Sequence, residues 1–280
     1  MIISKITGGL GNQMFQYAIA KSIAVKNSDI FKLDITAYET YKLFDYRLNI
    51  FNITENIANY DEILNLRGND NKIFKVLKKL GLYNKPTYYK EKERTIFDKN
   101  VFNYKNIYLD GYWQNEKYFI DIRDILLKEL TPKEDISEIA KEYLKNIQNT
   151  QSISLHVRRG DYLKHPEIGV LDLEYYKKSY EYITREIENP IFYIFSNDLA
   201  WCEENFDFIQ NKVFVKDTKT EIDDLILMKS CKHNIVANSS FSWWGGWLNE
   251  NINKIIIAPK QWMAINPKSY KWIPNSWIEV

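Results

Sequence analysis

Two adjacent arginines, Arg158 and Arg159, follow an apolar, β-rich run at 153–157 inside the segment His156-Val157-Arg158-Arg159-Gly160-Asp161-Tyr162. A guanidinium fork matches two oxygens of a phosphate at once, which a lysine ammonium cannot do. Cations at the end of a buried strand need anionic partners, because an unpaired buried charge is costly. The partner is either a ligand phosphate, or Asp161 together with a neighbouring carboxylate. Both readings are open at this level.

Three further loops carry residues suited to the same chemistry. Gly8-Gly9-Leu10-Gly11-Asn12-Gln13 lies between a short apolar run and a helical pattern. Its glycines admit close backbone approach, and the following helix opens with N–H groups that favour an anion. It has the spacing of neither the dinucleotide fingerprint nor the Walker loop, and a plain tight turn explains it equally. Ser196-Asn197-Asp198 follows the run at 191–195, where Asp198 is a ligand group or a helix cap. Asn238-Ser239-Ser240-Phe241-Ser242 follows the run at 235–237 and precedes Trp243-Trp244-Gly245-Gly246-Trp247. Hydroxyls at a helix start form an anion site or simple caps. Asp223 and Asp224 open another helical pattern. A carboxylate there either accepts two hydrogen bonds from the guanine edge or complements the helix dipole.

The elements that would position these loops can be read from periodicity. Strand-type runs at 153–157, 191–195, 213–215, 235–237 and 254–258 alternate with helical patterns at 174–188, 199–206, 221–231 and 242–250. Such alternation predicts a parallel, Rossmann-like sheet, with ligand loops at the carboxyl ends of its strands. The N-terminal region opens as strand 2–6, glycine turn and helix, with Phe15, Ala18, Ile19, Ile23 and Ala24 on one face. A further strand is expected at 107–109, and a helix at 115–130 closed by Thr131-Pro132. Residues 35–105 show few clean periods. The expected domains are 1–149 and 150–280.

Bulk properties narrow the class. The chain has 280 residues, 45% hydrophobic and 27% charged, as in a folded globular protein. A net charge of +1 gives no field for nucleic acid. Two cysteines, Cys202 and Cys231, and three scattered histidines supply neither a disulfide framework nor a metal cluster. Neither a signal peptide nor a membrane span is legible, so a cytoplasmic location is expected. Lysines 72, 75, 78 and 79 interleave with apolar residues; this is a solvated basic helix face or a contact with the inner face of the membrane. Tyrosine and tryptophan number 20 and 8, which suits sugar handling and equally suits the codon usage of an AT-rich genome.

Taken in order, these segments resemble the α-1,2-fucosyltransferase family (glycosyltransferase family 11). Gly8 to Ala18 is similar to its N-terminal signature. His156 to Tyr162 is similar to the H-x-R-R-x-D motif shared with α-1,6-fucosyltransferases, and Asn238 to Gly246 to its third motif. The resemblance runs to the Trp-rich tail around Trp272 and Trp277. It implies a GT-B-like α/β fold, with two Rossmann-like domains facing a cleft. The C-terminal one would hold GDP-fucose, and the N-terminal one a galactose-containing oligosaccharide or lipid-linked glycan. Transfer would be inverting and would need neither a metal nor a cofactor.

By matching position, Gly9, Gly11, Asn12 and Gln13 belong to the site, with His156 near the nucleotide. Arg158, beside Arg159, would bind the β-phosphate, with Ser239 and Ser240 on phosphate oxygens and Asn238 and Phe241 beside them. The spacing of Asp224 from Ser240 is similar to that of the guanine-reading aspartate of α-1,6 enzymes. As the C1–O bond breaks, charge builds on the β-phosphate, where Arg158 would stabilise it. Asp161, then Asp198, are the candidate bases for the acceptor hydroxyl.

Overall fold

A computed structural model describes residues 1–40, 42–69, 76, 80, 85–94, 96–264 and 273–280. The basic run around lysines 72, 75, 78 and 79, and Trp272, lie outside the described residues. The chain divides into two compact units, Met1–Lys133 and Glu134–Val280.

The N-terminal unit is built on a sheet of order β2-β1-β4-β3, from Ile2–Lys5 (β1), Phe31–Asp34 (β2), Tyr88–Lys90 (β3) and Ile107–Asp110 (β4). Every pairing among them is parallel. The chain leaves β1 toward β2, then returns to lay β4 on the other side of β1. The gap between β1 and β4 is therefore a topological switch point, where loops diverge and leave a crevice. The glycine loop sits at its rim, followed by the helix Leu10–Asn27. That helix is buried nearly all round, and Met14, Ala18, Ile19 and Ile23 have no exposed surface. Gly8 adopts φ +81°, and a Cβ there would meet the Asn12 side-chain nitrogen at 2.8 Å, so both backbone and space require glycine.

The C-terminal unit carries the order β10-β9-β8-β5-β6-β7. Its strands are Gln151–Val157 (β5), Pro190–Ser196 (β6), Lys212–Phe214 (β7), His233–Ile235 (β8), Ile256–Ala258 (β9) and Ile278–Glu279 (β10). All described pairings are again parallel. Alternation along β5 divides its work. Ile153, Leu155 and Val157 enter one apolar cluster with Tyr176 and Ile183. Ser152, Ser154 and His156 point the other way: the Ser152 hydroxyl accepts from the Lys232 N–H at 3.1 Å and the Ser154 hydroxyl from Asn234 at 2.7 Å. β5 is flanked by β6 and β8, so the switch point falls between β5 and β8.

The structure corrects several sequence expectations. The units divide before, not after, the helix Glu138–Gln148. Ala140 and Ile147 pack in a C-terminal cluster with Tyr193, Leu227 and Met228. The Ser137 N-cap is tied to the buried Asp223 carboxylate through its N–H at 3.0 Å and its hydroxyl at 2.7 Å. The continuous helix expected over 115–130 is instead two 3-10 turns, Glu116–Tyr118 and Ile120–Ile122, followed by a helix over Arg123–Glu129. β2, β3 and the helix Tyr60–Arg67 went unread. The helix announces itself through an Asn59/Glu62 capping box.

Candidate active site

The glycine loop belongs to the N-terminal unit, and all other singled-out residues belong to the C-terminal one. Gly9 is the N-cap of the helix Leu10–Asn27, and its carbonyl accepts from Asn12 and Gln13 backbone N–H groups. Gly11 is buried within the helix. Asn12 presents its side-chain oxygen to Gln114 at 2.8 Å, which joins the loops after β1 and β4 across the switch point. Gln13 has no exposed surface. Its amide donates to the carbonyls of Gly8 and Asp45 and accepts from the Arg47 N–H. A side chain so engaged clamps the loop.

In the C-terminal unit the loops after β5 and β8 flank the β5/β8 switch point. His156, at the end of β5, is 6% exposed, with its Nδ1 buried and unpartnered among the described residues. Burial, then the neighbouring Arg158 charge, push its pKa down to about 3. It is therefore neutral at physiological pH, suited to a hydrogen bond rather than to proton exchange near neutrality. Its ring meets Phe241 edge-on at 6.1 Å.

The arginines part company. Arg159 points its Nε to Asp198 at 3.4 Å and lays its guanidinium on Trp201 at 4.0 Å. With the Arg158–Asp161 contact, this is the carboxylate-paired alternative for the two arginines. Arg158 donates through Nη2 to Asp161 at 2.9 Å, while its Nε is buried with no partner among the described residues. An unsatisfied charged donor is expensive, and a phosphate oxygen is the group that would satisfy it.

Both candidate bases make contacts with the arginines. Asp161 holds Arg158 with one oxygen and accepts from Asn197 at 3.2 Å with the other. Asp198 caps the helix Leu199–Asn205 through Trp201 N–H and pairs with Arg159. Each of these carboxylates thus orients an arginine. Asn197, absent from the sequence-based site, also accepts from the Arg159 backbone N–H at 3.0 Å and so fixes the turn.

Tyr162 is a second residue that sequence reasoning missed. Its hydroxyl reaches the Asn238 carbonyl at 3.4 Å and meets the Ser239 side chain, bridging the loops after β5 and β8. Its ring lies 5.5 Å from the Arg158 guanidinium. The signal was present, since Tyr162 closes the arginine motif. Ser239 is the N-cap of the helix Ser240–Trp247, yet its side chain makes no capping bond. Ser240 opens the helix, half-exposed. Asn238 is 3% exposed, donates to the carbonyls of Gly169 and Trp262, and keeps an unpartnered Oδ1. It is the one singled-out residue that borders a 310 Å³ cavity over Ile168–Asp172 and Pro259–Gln261.

Asp223 and Asp224 have opposite roles. Asp223 is 2% exposed and caps structure; burial raises its pKa, but hydrogen bonds from Ser137, Lys219 and Thr220 outweigh that and hold it below the usual range. Asp224 is half-buried, and burial, reinforced by the charges of Asp223 and Glu221, pushes its pKa up to about 6. If Asp224 accepts guanine N–H groups as a carboxylate, GDP affinity is flat above pH 7. It then weakens about tenfold per unit once the pH falls below the Asp224 pKa. Calorimetric GDP titrations between pH 5 and 8 check this, and a flat profile would remove the role. Without ligand the sign for stability is opposite: the folded carboxyl holds its proton to higher pH than the unfolded one, so stability falls as pH rises toward 6.

The fold and site together define a two-unit, all-parallel α/β protein of GT-B-like architecture. Its solved-structure likenesses agree. The NodZ fucosyltransferase from Bradyrhizobium matches with TM-score 0.50 at 12% identity, over 87% of this chain and 91% of that one. POFUT1, solved in complex with GDP-fucose, matches with TM-score 0.52 at 10% identity, over 91% and 97%. The family model "Glycosyl transferase family 11" matches residues 5–278, and the chain belongs to that family. An Escherichia coli alpha-1,2-colitosyltransferase is 33% identical over 100% of this chain and 99% of its own. The O-antigen biosynthesis glycosyltransferase WbnK of Escherichia coli is 32% identical over 99% of both. Galactoside alpha-(1,2)-fucosyltransferase 2 of Pongo pygmaeus is 29% identical over 50% of this chain and 44% of its own. The chain is a glycosyltransferase, and no described helix is long and apolar enough to cross a membrane.

Proposed function

We propose that this glycosyltransferase moves L-fucose from GDP-β-L-fucose to the 2-hydroxyl of a galactoside, with inversion and without a metal, in the assembly of a bacterial surface glycan. The observation that carries the reading is the arrangement at the β5/β8 switch point. Arg158 keeps a buried Nε there with no partner among the described residues, and Tyr162 ties its loop to Ser239, an N-cap residue whose side chain makes no capping bond. A diphosphate seated between them would receive a guanidinium from one side and a helix N-terminus from the other. In this reading the leaving β-phosphate is stabilised by Arg158, which takes the part a divalent cation plays in other transferases. His156, neutral, lies beside Arg158, and Asp224 reads guanine. Acceptor deprotonation falls to Asp161, then Asp198, or to water.

The donor sugar has a second reading, favoured by the colitosyltransferase relative. Colitose lacks one ring hydroxyl of fucose. A site built to hydrogen-bond that hydroxyl discriminates by about 10⁴–10⁵ between the two sugars, whereas an apolar pocket discriminates far less. Competing GDP-fucose against GDP-colitose decides the donor, and NMR of the product formed on lactose decides the linkage. Turnover is expected to survive excess EDTA. Loss of activity restored by Mg²⁺ or Mn²⁺ would replace the arginine mechanism with a metal-assisted one. Calorimetry in metal-free buffer is expected to rank GDP well above UDP and ADP.

A further inference from the structure

The aromatic richness of the chain goes largely into its cores: Trp243 packs among Trp244, Trp247 and Trp277 at centroid distances of 5.1–5.9 Å. One group of rings is arranged differently. In the N-terminal unit a cavity of about 250 Å³ opens where β3 and β4 end, walled by Tyr89, Phe97, Trp113 and Tyr118, with Glu91 in its lining and Lys92 and Glu93 at exposed positions. It lies at the carboxyl edge of a parallel sheet, the edge at which such sheets bind ligands.

Its construction is that of a site. The Glu91 carboxylate accepts the backbone N–H groups of Tyr112 at 2.6 Å and Trp113 at 3.0 Å. Those bonds hold Trp113 at φ +57°, a left-handed conformation that costs a non-glycine residue energy. A Cβ on Gly111 would stand 2.4 Å from the Glu91 Cβ, so only glycine lets this bracket close. Tyr118 meets the Trp113 ring edge-on at 5.5 Å and Phe97 at 5.0 Å. Trp113 has no exposed surface, yet its indole N–H has no acceptor among the described residues. A buried indole normally finds one, and leaving it bare costs roughly 1–3 kcal/mol. The chain thus holds a strained backbone, a buried carboxylate and an unsatisfied donor around a cavity with aromatic walls.

We propose that this cavity is a carbohydrate subsite that takes one β-galactoside unit of the acceptor glycan, the sugar's C–H face on Phe97 and Tyr89 and a sugar hydroxyl accepting from the Trp113 indole. The inference rests on the galactoside reading of the acceptor. The volume sits just under the lower end of the range for ligand pockets, about 300 Å³ upward, so it fits a single monosaccharide. A carboxylate has about four acceptor positions; Glu91 uses two on the backbone and keeps others for sugar hydroxyls. Phe97 and Tyr89 are only half-buried.

The test follows the Trp113 indole resonance in ¹⁵N-labelled protein, assigned through Trp113→Phe, during titration with lactose, methyl β-D-galactoside and N-acetyllactosamine in the presence of GDP. At least one galactoside is expected to shift the Trp113 indole saturably, and Phe97→Ala to weaken that binding by about tenfold or more. GDP affinity, measured in the same samples, reports the C-terminal unit separately. A wild-type protein that fails to bind GDP would sink the donor reading and leave this result to stand or fall alone. Three outcomes overturn the subsite: no galactoside moves Trp113, galactosides bind while moving only other signals, or Phe97→Ala binds them as wild type does.

Discussion

Replacing Arg158 with lysine lowers turnover by about 10²–10³-fold, the usual cost of losing one donor that acts on developing charge, while the melting temperature stays close to that of the parent. The two halves of this expectation have separate causes. The Arg158–Asp161 pair is 27% and 42% exposed, and exposed ion pairs contribute about 0–1 kcal/mol. Lysine can also still reach Asp161, so the fold has little to lose. Catalysis has more to lose. Asp161 occupies Nη2, which leaves the buried Nε free to turn to a phosphate oxygen, and lysine has no second donor in a fixed fork. Saturating donor does not rescue the variant, because the missing bond strengthens as the leaving group departs. Turnover numbers from GDP release, alongside thermal melts, check it; activity within a few-fold of wild type would take Arg158 out of the site.

Asp224→Asn is expected to weaken GDP binding by about 10- to 150-fold, the equivalent of one charge-assisted hydrogen bond of roughly 1.5–3 kcal/mol. Discrimination against ADP shrinks with it, since adenine lacks the paired donors of guanine. An amide offers one acceptor oxygen where the carboxylate offers two, and the change also removes the ionisation near pH 6. The variant therefore loses the pH dependence expected of the wild type. Because a base reader touches no breaking bond, saturating GDP-fucose largely restores the maximal rate, in contrast to Arg158→Lys. Unchanged GDP/ADP preference would reduce Asp224 to a helix-start charge and move the search for the guanine reader to His156 and the backbone. Asp223 cannot replace it, since its carboxylate already accepts from Ser137 and Lys219.

The amino-acid sequence by itself determined the regular C-terminal unit. The strands expected at 153–157, 191–195, 213–215 and 235–237 lie within two residues of β5, β6, β7 and β8, because buried parallel strands are continuous apolar runs and their helices are punctuated by caps. It also determined which side chains cluster at the strand ends, since a parallel sheet sends every such loop to one edge. The N-terminal unit was legible only at β1, its helix and β4. β3 is three residues long and flanked by polar loops, too short to carry a period. What each polar group does was decided by tertiary structure alone, because the partners are distant in sequence. Gln13 is engaged by Asp45 and Arg47, and Asp223 by Ser137; Asp198 holds Arg159, leaving Arg158 as the arginine with an unsatisfied donor. Two identical guanidinium groups on adjacent residues differ in what the fold places beside them. No pattern along the sequence encodes that difference; it arises when β6 is laid against β5.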